Sequence, residues 1–325
     1  MNLKLGTRNI NQIRVRSVRI IVGPKKEQPP TNELTLLGAQ VRILADAVEV
    51  SLAEKKKELI ADLAHVLQVR KLTPAGAAKF RGRLGFAQSC LYGKYGRAHL
   101  APFTGRQYDR AKKSGYYLDV ALFEVIPRWI RTLSADLPRR VTCNFAHPVL
   151  LYTDACGEGH MGVNLVIEDK VIIAHCHAPR WTWSFGIAEL EIMATISGMT
   201  VAAVYAPGRN VLLRCDNLGA MGVLTRGRSK TSNGRSLASV FWSIAAGAEV
   251  HVWIEFAASK ANRGDPPSRV CGRLGGRSCK IPMVNVGVPN SFYKLFETKE
   301  SFHEARFGVR TLERGVRVGW NCQGM

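Results

Sequence analysis

The chain has 325 residues, 46% hydrophobic and 22% charged, enough for one large domain or two ordinary ones around a buried core. Forty-six Lys and Arg against 25 Asp and Glu give a net charge of +21, which points to a polyanionic partner, nucleic acid before an anionic membrane, because every neutralised phosphate releases condensed counterions. Eight cysteines (90, 143, 156, 176, 215, 271, 279 and 322) without a CxxC pair argue against a disulfide framework or zinc knuckle and fit an intracellular reducing compartment, and no apolar run approaches the roughly 20 residues of a membrane span.

Residues 1–26 carry seven Lys or Arg and no acid. The string IRVRSVRIIV alternates with period two, so this segment reads as a basic strand, an RNA-contacting arm or a mitochondrial targeting sequence. Gly23 to Pro30 is a stiff polar linker that completes a basic arm over residues 1–33. LTLLGAQVRI then reads as one strand interrupted by Gly38. Ser51 or a neighbour is expected to cap a helix of about 20 residues, with Leu52, Leu59, Leu63, Val66 and Leu67 near one face and Lys55 to Lys57 on the other. Thr73-Pro74 is an N-cap with proline at the first helical position, opening a second helix toward Cys90. A third is expected from Leu118 to Leu133, kinked or broken at Pro127. Residues 34–140 therefore read as a small, mainly helical unit. It is dense in basic residues: Lys79, Arg81, Arg83, Lys94, Arg97, Arg106, Arg110, Lys112 and Lys113.

Over 141–269 the rhythm changes. VLLYTDA, MGVNLVI and KVIIAHCH are strand-like runs joined by turns short enough to require antiparallel hairpins. A helix near 188–205, the strand NVLLRCD, helices near 217–225 and 234–247 and the strand EVHVWIEF follow. This order predicts an α/β fold, a five-stranded mixed sheet flanked by helices. His175-Cys176-His177 is the one dense group of soft ligands. It falls in an expected strand, where alternate side chains face opposite ways, and no metal site is assigned to it. Residues 270–325 are Gly/Arg-rich and then mixed, a basic tail with one short helix near 291–306.

Phosphodiester hydrolysis with two metal ions needs several carboxylates converging from rigid strand ends and a facing helix. Asp154 ends the strand VLLYT, a costly burial unless the carboxylate has a partner, although a turn aspartate would occupy the same place. Asp216 ends VLLRC, where it could equally cap the helix that follows. Glu189 and Glu191 lie about 200° apart around their helix, so only one can face the sheet, and helix geometry leaves the choice open. Asp265 sits in SKANRGDPPSR after the last strand, where a solvated loop aspartate is the plain alternative.

The strings YTDACGEGHMGV, ELEIMA, RCDNLGAMGVL and ANRGDPPSR, in this order, resemble the RNase H domain of reverse-transcribing retroelements. The forms usual there are TDAS-x-x-G-x-G, E-x-x-A, TDN-x-x-A and N-x-x-D-x-x-SR. The intervals of 37, 25 and 49 residues between Asp154, Glu191, Asp216 and Asp265 are compatible with that domain. The resemblance selects Glu191, three residues before Ala194, and implies that these four carboxylates are the catalytic residues that hold two Mg²⁺ or Mn²⁺ ions. Cys156 stands where Ser or Thr is commoner. No histidine lies between Phe256 and Asp265, where cellular RNases H carry a mobile one, which bears on proton shuttling and rate rather than on metal binding. Upstream, ELTLLGAQVRI, the Lys-rich helix and KFRGRLGFAQSCLYGKYGRAHLAPF resemble the thumb or connection segment between polymerase palm and RNase H. No Y-x-D-D turn precedes residue 34, so the chain is expected to start downstream of a polymerase site and not to synthesise DNA itself.

The resemblance implies a two-metal endonuclease that cuts the RNA strand of RNA–DNA hybrids. Asp154 and Asp216 would bridge the ions, Glu191 would stand at the 2′-OH side and Asp265 would hold the second ion. The basic helical unit would grip the hybrid backbone. A second reading is a domesticated fragment kept as an RNA-binding structural subunit of a ribonucleoprotein. The basic extensions and the missing polymerase favour it, and the four carboxylates count against it. A transposase-type nuclease fits the carboxylates but not the connection-like segment. The partners implied are a hybrid or structured RNA, and a polymerase domain or ribonucleoprotein.

Overall fold

A computed structural model of the chain describes residues 32–36, 38–52, 55–109, 115–135, 138–142, 147–178, 182, 184–269 and 284–285. The expected arm and linker over 1–31, the basic residues Arg110, Lys112 and Lys113, and the helix expected near 291–306 lie outside the described residues.

Gly38 makes a hairpin rather than an interruption. At φ +91° it turns the chain between β1 (Glu33–Leu36) and β2 (Ala39–Ile43), which pair antiparallel from Glu33↔Arg42 to Leu36↔Ala39. β3 (Ala47–Leu52) and β4 (Arg139–Thr142) complete a four-stranded antiparallel sheet in the order β1-β2-β3-β4. Ser51, expected as a helix cap, is instead a strand residue opposite Gln40. Its segment AVEVSL alternates with period two, and that local pattern prevails over the helical period that begins beyond it.

The first helix, α1 (Lys55–Val69), buries Leu59, Leu63 and Val66. α2 (Pro74–Ser89) starts as expected: the Thr73 hydroxyl accepts from the Gly76 amide at 3.1 Å, with proline at the first helical position. A 3-10 turn (Arg97–Leu100) and the short α3 (Ala101–Gln107) follow. α4 (Val120–Ser134) is capped by Asp119, which accepts from the Leu122 amide at 2.8 Å, and it continues through Pro127 without breaking. These helices close on a core of Leu63, Leu84, Phe103, Ile126 and Trp129.

β5 (Val149–Ala155), β6 (His160–Ile167) and β7 (Lys170–His177) form the expected antiparallel meander. β8 (Asn210–Cys215) and β9 (His251–Phe256) add parallel strands on the other side of β5. Parallel neighbours require crossovers, and α5 (Ile187–Tyr205), then α6 (Leu218–Arg226) with α7 (Ser232–Gly247), supply them. The order β7-β6-β5-β8-β9, flanked by these helices, is the RNase H-like arrangement. A two-residue strand, β10 (Val284–Asn285), pairs parallel with β7 at its outer edge. By length and composition α5 could cross a membrane, contrary to the expectation that no run would, yet residues 190–202 are buried without a break against the sheet. It is a core helix.

Two close approaches join the helical unit to this sheet domain. The Trp242 ring lies against Gly93, where a Cβ would come within 2.5 Å of it, and the His99 Nε2 meets the Ser239 hydroxyl at 3.0 Å. Both Trp242 and Ser239 belong to α7, so this helix is covered by α5 on one side and by the residues following α2 on the other.

Candidate metal centre

Asp154 is the penultimate residue of β5, opposite Gly162 of β6, and only 6% exposed. Its carboxylate is braced from the far end of the domain. The Ser268 hydroxyl donates to Oδ2 at 2.5 Å, and the Asn262 side-chain amide donates to the Thr153 carbonyl at 3.0 Å and to Asp154 Oδ1 at 3.4 Å. The turn that carries these braces is packed on the strands through two glycines. A Cβ on Gly162 would come within 2.3 Å of the Gly264 carbonyl, and one on Gly264 within 2.7 Å of the Thr153 backbone.

Two alternatives left open by the sequence are resolved by local bonds. Asp216 follows β8, but the cap of α6 is Asn217, whose side-chain oxygen accepts from the Ala220 amide at 3.0 Å. The half-buried Asp216 is thereby left to the centre. In α5, Glu189 spends its carboxylate at the helix start, accepting from the Gly186 amide and the Thr231 hydroxyl, each at 3.1 Å. Glu191 is 4% exposed, and its carboxylate lies within 4.8 Å of the ligand atoms of Cys215 and Asp216.

Asp265 opens α8 (Asp265–Ser268), one turn from the braces. Its Oδ1 is held by Arg269, at 2.7 Å from Nε and 2.6 Å from Nη2, so this carboxylate is paired with a cation while its charge still reaches Asp154.

The electrostatics of the group are those of crowded anions. Burial, then the charges of Asp154 and Asp216, push Glu191 up to about 8 despite a bond from the Ala155 amide. Burial raises Asp154 as well, with Asp216 and Asp265 adding to the effect and the Ser268 bond opposing it. The Cys215 thiol is driven up to about 12 by burial and by its three acidic neighbours. Hard oxygen donors that repel one another, two of them buried, suit a divalent cation such as Mg²⁺ or Mn²⁺, which would relieve the repulsion. The residues present therefore fit such ions.

The sequence did not single out Asn262, Ser268, Gly162 or Gly264 for these roles. All four lie inside the strings that carry the resemblance, and their partners become visible only when residues more than 100 apart are brought together.

The basic residues of the helical unit do not all serve one purpose. Arg106 is 4% exposed and bound to Asp119 at 3.1 Å and to the Tyr117 carbonyl at 2.8 Å, which makes it a structural cation. Arg83 pairs with Asp62, and Arg81 reaches Thr104. Lys94 differs. Burial and the charges of Arg97 and Arg139 lower its pKa, and it lies with Arg97 against Gly227 in the α6–α7 turn. Arg226, Arg228 and Lys230 flank the same turn.

No family model and no curated protein matches the chain. Among solved structures it is similar to RNase H1 from the halophilic archaeon Halobacterium salinarum, at 18% identity and a TM-score of 0.31, over 37% of this chain and 93% of that one. It is also similar to the foamy viral protease-reverse transcriptase in complex with an RNA/DNA hybrid, at 12% identity and a TM-score of 0.32, over 80% of this chain and 33% of that one. The same viral enzyme in complex with double-stranded DNA gives 13% identity and a TM-score of 0.31 over 72% of this chain. The chain thus spans 33% to 47% of the viral chains. Likenesses this distant leave the fold to rest on the strand order, and the centre on its own geometry.

Proposed function

We propose that the chain is a two-metal endonuclease that hydrolyses the RNA strand of RNA–DNA hybrids, related to the RNase H end of a retroelement reverse transcriptase. The observation that supports it is the charge coupling of four acids carried by β5, α5, the residue after β8 and α8: Asp154 feels Asp216 and Asp265, and Glu191 feels Asp154 and Asp216. A scaffold that only bound RNA would have no reason to bear the burial and the mutual repulsion that raise Glu191 and Asp154, which weighs against the structural-subunit reading.

Divalent cations bound at the four carboxylates would supply an activated water and positive charge at the leaving oxygen. The chain's own part is positioning. Asp154, fixed by Ser268 and Asn262, is the rigid anchor, and Asp216 faces it from the neighbouring strand end. Glu191 closes the buried side, where a 2′-OH would distinguish RNA from DNA. Asp265 is the adjustable member, because Arg269 holds it from a side chain that is itself 60% exposed. The cations around the α6–α7 turn would hold backbone phosphates and set register without reading sequence.

The test is cleavage of a labelled RNA–DNA hybrid with Mg²⁺ or Mn²⁺. The wild-type chain cuts the RNA strand and folded Asp154→Asn does not. Inactive wild-type protein, or equal cutting by the variant, sinks the proposal.

A further inference from the structure

One member of the buried cluster has no part in the chemistry just described. Cys215 is fully buried at the end of β8, and its thiol points at the Glu191 carboxylate, Sγ to Oε2 4.0 Å. Among the described residues one group of three side chains brings metal-ligating atoms together within 4.8 Å, and it is Glu191, Cys215 and Asp216. This is a mixed sulfur and oxygen set. Mg²⁺ has little use for sulfur, whereas Zn²⁺ and Cd²⁺ take thiolate and carboxylate together.

We propose that Cys215 gives the centre a second, inhibitory metal mode, in which a thiophilic divalent cation binds across Glu191, Cys215 and Asp216 and withholds both carboxylates from hard-metal loading. The idea rests on the reading of these carboxylates as a metal centre. Zn–S bonds of about 2.3 Å and Zn–O bonds of about 2.0 Å at a tetrahedral angle put the two ligand atoms roughly 3.5 Å apart. The thiol and Glu191 need close by only about half an ångström to reach that separation from 4.0 Å. On binding, the S–H bond breaks, its proton passes to water and a sulfur–metal bond forms, with no change of oxidation state. Asp216, half-buried at the mouth of the centre, offers the first ligand to an entering ion.

The test uses the full-length chain stripped of metal by chelation and titrated with Cd²⁺, following thiolate-to-cadmium charge-transfer absorption in the ultraviolet. Wild-type protein and Cys156→Ser, which alters the other cysteine near Asp154, develop the band and lose it when Zn²⁺ competes. Cys215→Ser lacks it and binds Zn²⁺ at least tenfold more weakly. Should Cys215→Ser fail to fold, Glu191→Gln weakens the binding that gives the band at least tenfold. A band that persists in Cys215→Ser, or that depends on Cys156, overturns the proposal. Calorimetric binding of Mn²⁺ to the wild type with no cadmium band overturns it too, while leaving the nuclease reading intact. A band in a protein that never cuts hybrid supports the thiophilic mode and sinks the nuclease reading instead.

Discussion

The Ser268 hydroxyl donates to the Asp154 carboxylate at 2.5 Å across 114 residues of chain, and this bond opposes the burial that raises the carboxyl. Ser268→Ala removes a hydrogen bond to a charged group in a closed space, which costs about 1.5–3 kcal/mol. Mg²⁺ affinity should fall by roughly tenfold or more, as is usual when the support of a metal-binding carboxylate is cut. Chemical denaturation and metal titration of the same variant measure the two effects. A variant with wild-type Mg²⁺ affinity would remove Ser268 from the argument.

Gly162→Ala tests the contact beneath that bond. The added Cβ meets the Gly264 carbonyl at 2.3 Å and the Ser268 amide at 2.4 Å, so backbone must move. Overpacking of this kind costs about 1–3 kcal/mol, and here it also shifts the turn that carries Asp265. Gly82→Ala is the control. Gly82 lies in α2 with nothing near its missing Cβ, and the change should stabilise by up to about 1 kcal/mol. Thermal melts of the two variants should move in opposite directions.

Glu191 makes the metal-free protein sensitive to alkali. Its folded-state pKa, about 8, lies above the unfolded value, so the native state holds a proton that the unfolded chain has already released. The stability this contributes is fully present below about pH 4.5 and is lost as pH rises through 8, at about 1.4 kcal/mol per unit in between. Glu191→Gln should flatten that slope and be the more stable protein at pH 8 without metal. Urea midpoints collected across pH 5 to 9 report it, and parallel curves for the two proteins would refute the assignment.

His99 acts in the opposite sense. Burial, reinforced by Arg128 and Arg131, lowers it to about 3, with its Nε2 on Ser239. Its contribution is intact above the unfolded pKa of about 6.5 and is lost as pH falls toward 3. His99→Gln should lessen the acid sensitivity of the chain between pH 6 and 4. Because His99 and Ser239 come from different halves of the described structure, the slope also reports whether the two halves unfold together.

The strands of the sheet domain were legible because VLLYTDA and NVLLRC are short apolar runs bounded by turn residues, and α5 because its apolar positions are nearly continuous. The four candidate acids were chosen through their strings, and their role as metal ligands is the proposal made above. Around Ser51 the reading failed, since the alternation of Val48, Val50 and Leu52 runs directly into a lysine-rich helix and the two periods overlap. α3 was missed because seven residues containing Pro102 and Gly105 show no period. Asn217 and Glu189 were seen as neighbours of the chosen acids. Only their bonds to Ala220, Gly186 and Thr231 show that they take the capping duties, which frees Asp216 and Glu191.

Asn262 reaches back 109 residues to the Thr153 carbonyl, and the two glycines that seat its turn leave no room for anything else. During synthesis, Asp154, Glu191 and Asp216 therefore emerge well before the segment that steadies the first of them. A nascent chain that ends before Asn262 can pair its strands and still lack a finished centre. The order of translation thus delays completion of the acidic cluster until almost the whole sheet domain has left the ribosome.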